Sequence, residues 1–222
     1  MTTVRGALRS PSHAFAVRTS IADVAVRAVD LDQDPPLPAA LDDLDPTERA
    51  RAERFFRQVD RQRFLRRRLE LRRLLAAEIG CPAGDIRFDS GPHGKPSVGW
   101  PPTDLHFSTT STEALALIAI ARVPVGVDCE QVRADRVSAA AAEVFLTADE
   151  FDAWSGLGWS SRLLAFFVAW TRKEALVKAS GLGLGGCPPN RLDVTFEPPA
   201  NLATFLPRQG FIASLATEVG PR

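Results

Sequence analysis

The segment "SRLLAFFVAWTRKEALVKAS" (161–180) constrains the fold more than any other part of the sequence. Its apolar residues recur at helical spacing, so it predicts a helix covered by a core. At about 100° per residue, Glu174 falls on the stripe that contains Phe166 and Trp170, and Lys178 follows one turn later. A buried, unpaired carboxylate is costly, so Glu174 would need a cation or several donors. A surface ion pair between Glu174 and Lys178 is the simpler alternative.

The segment "PVGVDCEQV" (124–132) predicts a strand that ends in two carboxylates. Side chains two positions apart share one face of a strand, so Asp128 and Glu130 point the same way and Cys129 points the other way. Neighbouring carboxylates repel each other, and a cation relieves that repulsion. An exposed strand end with two solvated acids is the alternative.

Together the two segments offer three carboxylates, Asp128, Glu130 and Glu174, beside Lys178. Such oxygen ligands suit a hard cation. Mg²⁺ in particular binds through few carboxylates, keeps waters and completes its shell with substrate phosphates. The combination predicts metal-assisted chemistry at a diphosphate.

The turn "GPHGKPSV" (91–98) is a candidate for contact with the same anion. Its glycines allow a backbone to approach closely, and Lys95 adds a point charge. A turn without a ligand is the plainer interpretation of this segment.

Hydrophobic spacing also predicts the order of elements. The first part of the chain is predicted to form a strand at 15–30, a helix from Pro46 to about Ile79 capped by Asp45 or Thr47, and a short strand with an extended piece at 85–98. Two strands around a hairpin at Arg122–Pro124 follow, and then helices at 138–154 and 161–180. The chain closes with an antiparallel meander of segments 192–198, 202–207 and 210–219. We therefore predict an α+β protein with halves 1–122 and 123–222, each a small antiparallel sheet packed with helices.

Composition narrows the class of partner. Lys+Arg and Asp+Glu both number 27, so no overall field favours nucleic acid. The arginine-rich stretch 47–73 is either a solvated helical face or an anion-binding surface. Three cysteines are too few and too widely spaced for a disulfide framework or a zinc site, and no apolar run is long enough to span a bilayer. We expect a soluble, cytoplasmic protein with no membrane partner.

Two motifs carry a resemblance to a known family. "GVDCE" (126–130) and "WTRKEALVKASGLGL" (170–184), in this order and at this separation, resemble the signature motifs of 4′-phosphopantetheinyl transferases. The subtype is the larger, monomeric one that primes carrier proteins of nonribosomal peptide, polyketide and fatty acid synthases. The resemblance covers roughly residues 45–190. It implies a pseudo-dimer of two similar halves, with coenzyme A in the cleft between them.

The resemblance also implies roles for the acidic constellation. Asp128, Glu130 and Glu174 match the Mg²⁺ ligands, and Glu174 also matches the general base that deprotonates the acceptor serine. Lys178 matches the lysine that stabilises the diphosphate and the leaving group. Asp128 and Lys178 therefore belong to the coenzyme A contacts as well.

The nucleotide end of coenzyme A would be held by the other half. Lys95, with Gly94 and Pro96, resembles the loop that grips the nucleotide. Arg51 falls where the family has a basic residue near the 3′-phosphate.

One motif departs from the family. A Phe-Asn-x-Ser-His-Ser run usually follows the Gly-Lys-Pro turn, and here Ser111 takes the position of the histidine that helps to bind the 3′-phosphate end. Thr110 and Ser111 can donate neutral hydrogen bonds, but a charge-assisted contact is about twice as strong. We therefore expect weaker or differently organised coenzyme A binding.

The resemblance predicts transfer of the 4′-phosphopantetheine arm of coenzyme A to a carrier-protein serine, with Mg²⁺ and with release of adenosine 3′,5′-bisphosphate. A monomer with no nucleic-acid partner is expected. The segment 137–159 is the candidate docking face, through Phe145, Leu146 and Trp154, and a place for these three side chains in the core is the alternative. The alternatives are an Mg²⁺-dependent diphosphate hydrolase or nucleotidyl transferase, and a non-catalytic nucleic-acid-binding or regulatory module.

Overall fold

Groups of strands and groups of α-helices follow one another along the chain in a computed structural model that describes residues 14–32, 40–194 and 199–218. The strands are β1 (Ala14–Val17), β2 (Val24–Asp30), β3 (Arg87–Ser90), β4 (Pro96–Trp100), β5 (His106–Thr112), β6 (Leu115–Ala121), β7 (Val125–Gln131), β8 (Leu202–Phe205) and β9 (Phe211–Thr217). The α-helices are α1 (Pro46–Glu53), α2 (Gln58–Ile79), α3 (Ala139–Phe145), α4 (Ala148–Ser155), α5 (Trp159–Ser180) and α6 (Gly183–Gly186). The predicted α+β class is confirmed.

The strands form two antiparallel sheets and one separate hairpin. The first sheet has the order β1-β2-β6-β5, the second has the order β7-β9-β8, and β3 pairs with β4. The long helix α2 packs on the first sheet and α5 packs on the second, and each of these helices has 22 residues. The chain passes from one sheet to the other between β6 and β7, close to the predicted division at 122/123, which stays a prediction.

Strand β6 joins the cores of the molecule. Every residue of its sequence "LALIAIA" is buried, and alternate side chains enter different clusters. Leu115 and Leu117 pack in a core shared with β7 and β9, whereas Ile118 and Ile120 pack with α2. The two sheets therefore share apolar packing, which fixes β5 beside β7.

Much of the arginine-rich stretch is structural. The sequence offers Asp45 or Thr47 as the N-cap of this helix, and Asp45 caps α1 in a capping box with Glu48. The fully buried Arg72 of α2 donates to Glu48 Oε2 at 2.7 Å and to Asp45 Oδ2 at 3.0 Å. These ion pairs hold α1 against α2, so the acids of α1 compensate arginine charge on α2.

Several predicted elements are shorter than expected. The strand at 15–30 is a hairpin of β1 and β2, with Asp23 at φ 59° between them. The helix at 46–79 is broken at residues 54–57 into α1 and α2. The helix at 138–154 is broken because Thr147 starts α4 with its own capping box.

The predicted hairpin at Arg122–Pro124 is wrong. Strand β6 pairs with β5 and β2, while β7 pairs with β9 in the other sheet. The closing strands at 202–207 and 210–219 are confirmed as β8 and β9. Residues 192–194 form no strand, and 195–198 lie outside the described residues. In the described part of the chain, no helix is both long and apolar enough to cross a membrane.

Strand β7 lies directly on the backbone of α5. A Cβ atom at Gly126 would come within 2.0 Å of the Ala175 carbonyl oxygen and 2.4 Å of the Ala179 nitrogen. The absence of a side chain at Gly126 thus sets the distance between the strand and the helix.

We predict that Gly126→Ala lowers the free energy of unfolding by about 3 kcal/mol, because the added methyl group would force β7 away from α5. Gly158→Ala is the matched control, since a Cβ there meets no atom within 4 Å and φ is −70°. Urea denaturation of the two variants measures the difference. Equal stability of Gly126→Ala and the wild-type protein would contradict this packing.

Candidate active site

A cleft of about 260 Å³ lies between the β3–β4 turn, β5 and the last turns of α5. Five of the predicted site residues line it: Gly94, Lys95, Pro96, Glu174 and Lys178. The turn and the helix come from different predicted halves of the chain. The fold therefore brings together side chains that the sequence separates by some eighty positions.

Asp128 joins three elements beside the cleft. Lys178 Nζ of α5 donates to Asp128 Oδ1 at 2.6 Å, and Thr110 Oγ1 of β5 donates to the same oxygen at 3.1 Å. Asp128 is 4% exposed, and its Oδ2 is buried with no hydrogen-bond partner among the described residues. Lys178 thus pairs with Asp128, and the described residues show no ion pair between Glu174 and Lys178.

Glu130 and Glu174 lie in surroundings that disfavour negative charge. Burial raises the pKa of Glu130, and the neighbouring Asp128 carboxylate raises it further. Burial likewise raises the pKa of Glu174, with Lys178 opposing the shift and Asp128 adding to it. Burial is therefore the larger cause at both glutamates, and the charge of Asp128 adds to it at each.

This region is chemically suited to a divalent cation. The unpaired Asp128 Oδ2 is an oxygen donor, and a cation would favour the ionised forms of Glu130 and Glu174, which burial and the nearby Asp128 charge disfavour. Within the described ranges, however, no three Asp, Glu, His or Cys side chains are grouped closely enough to hold a metal ion. The three-carboxylate ligand set stays a prediction.

Cys129 points to the other side of β7, as the strand period predicts. It is 1% exposed in the core shared by the sheets. Burial, together with the charges of Asp128 and Glu130, raises the pKa of its thiol to about 12. The thiol is therefore protonated near neutral pH and is not a nucleophile.

Polar side chains of β5 attach it to β7. Ser108 Oγ accepts from the Val127 backbone nitrogen at 3.1 Å, and Thr112 Oγ1 donates weakly to Glu130 Oε2 at 3.5 Å. With Thr110, these residues alternate along one face of the strand. The sequence "FSTTST" thus supplies a polar seam between the sheets, a role that its serines and threonines alone did not predict.

Lys95 connects the β3–β4 turn to the second sheet. Its Nζ donates to the carbonyl oxygens of Val125 and Ala179, each at 3.1 Å. Burial lowers the pKa of Lys95. Its ammonium group therefore lies at the C-terminal end of α5, where a positive charge is favourable, and on the wall of the cleft.

Arg51 and Ser111 lie away from this cleft. Arg51 lines a separate depression on α1, with its guanidinium 5.4 Å from the centre of the Phe64 ring. Ser111 lies on the face of β5 opposite to Thr110, and its Oγ accepts from Arg67 Nη1 at 3.0 Å. The sequence indicated Arg67 only through the density of arginines at 47–73.

The side chains expected to form a docking face are buried. Phe145, Leu146 and Trp154 are 9%, 3% and 5% exposed and pack in the core around α5. The expectation that they contact a partner is therefore wrong. Apolar side chains that are exposed nearby belong to Val144 and Trp159.

A buried ion pair anchors the charged half of α5. Lys173 Nζ donates to Glu150 Oε2 at 2.5 Å and to the Phe145 carbonyl oxygen at 3.1 Å, and both charged side chains are fully buried. Glu150 Oε1 accepts from the Val194 nitrogen at 2.9 Å. The pair fixes the rotation of α5 and so the direction in which the next residue, Glu174, points.

Comparison with known proteins identifies the class. A model of the 4′-phosphopantetheinyl transferase superfamily matches residues 124–216. The chain is 32% identical over 164 residues to 4′-phosphopantetheinyl transferase HetI of Nostoc sp. (strain PCC 7120), a match that spans 72% of this chain and 69% of the relative.

Two further relatives are more distant. The chain is 30% identical over 131 residues to 4′-phosphopantetheinyl transferase gsp of Aneurinibacillus migulanus, spanning 59% of this chain and 53% of the relative. It is 26% identical over 141 residues to 4′-phosphopantetheinyl transferase Sfp of Bacillus subtilis (strain 168), spanning 64% and 62%. These two matches cover less than two thirds of the relatives.

The fold, the cleft and the named relatives together identify this protein as an enzyme of the transferase class. The chain belongs to the 4′-phosphopantetheinyl transferase superfamily. This confirms the resemblance that the two motifs carry.

We predict that Lys173→Met lowers the free energy of unfolding by about 3 kcal/mol or more, because it leaves Glu150 buried without its cation. Arg122→Met is the control, since Arg122 pairs with Asp104 on the surface and such pairs contribute about 1 kcal/mol or less. Urea denaturation measures both. A similar small loss in the two variants would show that the buried pair does not anchor α5.

Proposed function

We propose that this enzyme transfers the 4′-phosphopantetheine arm of coenzyme A to a serine hydroxyl of a carrier protein and releases adenosine 3′,5′-bisphosphate. One observation carries the proposal. Glu174 and Lys178 lie one helical turn apart on the wall of a cleft, opposite the Gly-Lys-Pro turn, and Lys178 is fixed by Asp128. A base and a cation are thereby presented to one substrate.

Glu174 is suited to act as the general base. Burial raises the pKa of its carboxyl group, which makes the carboxylate a stronger base near neutral pH. It accepts the proton of the serine hydroxyl, directly or through one water molecule. The serine oxygen can then attack the phosphorus atom that carries the pantetheine arm.

The substitution forms a bond from the serine oxygen to phosphorus and breaks the bond from phosphorus to the bridging oxygen of the diphosphate. The electron pair of the broken bond stays on adenosine 3′,5′-bisphosphate. Lys178 stabilises this developing charge, and the second sheet holds Lys178 in place through Asp128. Positioning and electrostatic stabilisation supply most of the catalysis, as in other phosphoryl transfers.

Asp128, Glu130 and Glu174 are the proposed ligands of Mg²⁺. When bound, Mg²⁺ supplies positive charge that neutralises the diphosphate. The buried Asp128 Oδ2, which has no hydrogen-bond partner among the described residues, supports this assignment. Asp128 also orients Lys178, so it serves the donor in two ways.

We propose carrier proteins as the acceptors because the relatives bear the name of enzymes that transfer this arm. Gly94, Lys95 and Pro96 contact the nucleotide part of coenzyme A in this proposal, since they form the side of the cleft opposite Glu174. Thr110 contributes by holding Asp128, and the enzyme acts as a cytoplasmic monomer.

We predict that Asp128→Ala and Glu174→Ala each abolish transfer, because one removes the support of Lys178 and the other removes the base. The assay incubates the enzyme with coenzyme A, Mg²⁺ and a panel of apo carrier proteins, and it reads the mass gain of each carrier.

Asp104→Ala is the control for these variants, because Asp104 pairs with Arg122 on the surface. Circular dichroism should show that all variants are folded. Transfer at the wild-type rate by either site variant would refute the assignment. Release of free phosphopantetheine without a carrier would favour a diphosphate hydrolase instead.

We also predict that removal of divalent cations by a chelator abolishes transfer and that added Mg²⁺ restores it, because the carboxylate region and the diphosphate are both negative. The same carrier mass assay measures both steps, with and without the chelator. Transfer that continues unchanged in excess chelator would contradict a metal-dependent reaction.

A further inference from the structure

The face of β5 opposite to Asp128 carries a second polar contact. Arg67, on α2, donates from Nη1 to Ser111 Oγ at 3.0 Å. Ser111 is exposed and Arg67 is partly buried, so the contact lies at the surface of the first sheet. This contact is separate from the Lys178–Asp128 pair, which lies on the other face of the strand.

The positive charge of Arg67 is poorly compensated. Four other arginines of α2 form ion pairs with acids: Arg63 with Asp32, Arg68 and Arg72 with Glu48, and Arg73 with Glu70. Among the described residues, no carboxylate lies within ion-pair distance of Arg67. Burial and the like charges of Arg68 and Arg51 lower the pKa of Arg67. An anion bound here would relieve that repulsion.

Arg67 and Ser111 lie close to the cleft that the proposed donor would occupy. Ser111 follows Thr109, which lines the cleft, by two residues on the same face of β5. Two residues of an antiparallel strand span roughly 7 Å. The guanidinium of Arg67 therefore lies just beyond the cleft, on the side of the first sheet.

The chemistry of the group suits a phosphate monoester. A guanidinium presents a planar set of donors that matches phosphate oxygens, and a serine hydroxyl adds one neutral donor. Besides its diphosphate, coenzyme A carries one other anionic group, the 3′-phosphate on its ribose. Arg51 adds a second positive charge within electrostatic range of Arg67.

We propose that Arg67, together with Ser111 and Arg51, binds the 3′-phosphate of coenzyme A. This inference rests on the proposed function. In the family, a histidine on the strand, at the position of Ser111, contributes to binding the 3′-phosphate. Here Arg67 of α2 would supply the positive charge instead. The serine at position 111 then positions the guanidinium, and the charge-assisted contact is kept.

The test compares two donors that differ only in this phosphate. Calorimetric titration with Mg²⁺ and without a carrier protein gives the dissociation constants of coenzyme A and 3′-dephospho-coenzyme A. We predict that Arg67→Ala weakens binding of coenzyme A about tenfold or more and leaves binding of 3′-dephospho-coenzyme A within about twofold. Arg67→Lys should keep part of the preference, because it retains the charge without the planar donor set.

Arg73→Ala is the matched control, because Arg73 lies on the same helix in a partly exposed ion pair with Glu70. It should leave both dissociation constants unchanged. Thermal denaturation of each variant should match the wild-type protein, which separates a loss of the phosphate contact from a loss of structure.

The possible outcomes separate the two proposals. An unchanged affinity of Arg67→Ala for coenzyme A, or an equal loss for both donors, would overturn the role of Arg67. If the preference for coenzyme A over 3′-dephospho-coenzyme A is lost in Arg67→Ala, the role of Arg67 is supported, whatever the carrier assay shows. If no carrier protein gains mass, the transferase proposal alone is refuted. A wild-type protein that binds neither donor would refute both.

Discussion

The close approach of β7 to the backbone of α5 is the constraint on which the site depends. Because Gly126 has no side chain, the strand lies against the carbonyl of Ala175. Asp128 follows two residues later on the same strand and therefore meets Lys178, which lies on the facing turn of the helix. A larger residue at 126 would separate the two charges. The small size of Gly126 thus allows the buried Asp128 to reach Lys178, which lines the cleft together with Glu174.

Helix α5 uses adjacent charges for different purposes. Lys173 is fully buried and paired with Glu150, which makes it part of the fold. Glu174 lies about 100° further around the helix and lines the cleft. Burial raises the pKa of its carboxyl group, and no ion pair of Glu174 is seen among the described residues. The fixed charge at 173 holds the helix so that the charge at 174 cannot turn away. The buried, fully paired Lys173 thus holds Glu174 in surroundings that disfavour its negative charge.

The sequence predicts which side chains share a face of one strand or helix, but it does not predict which strands pair or which faces pack together. Spacing alone placed Asp128 and Glu130 on one face of a strand, and it placed Lys178 one turn after Glu174. Spacing does not state which strand pairs with which, so the predicted hairpin at 122–124 was wrong. Trp154 shows the same limit, because an apolar residue on a short helix can face either the core or a partner, and packing alone decides.

If Arg67 binds the 3′-phosphate as proposed, its contact with Ser111 explains how a motif can change while its chemistry persists. The two residues are 44 positions apart, on a helix and a strand, so no local pattern connects them. A phosphate requires positive charge at one place, and any element that reaches that place can supply it. A serine side chain is short and leaves the guanidinium space to approach β5, which a histidine at position 111 would occupy. In the proposed 3′-phosphate site the positive charge lies on the helix and not on the strand, so judging the site by the strand motif alone would count the serine at position 111 as a loss.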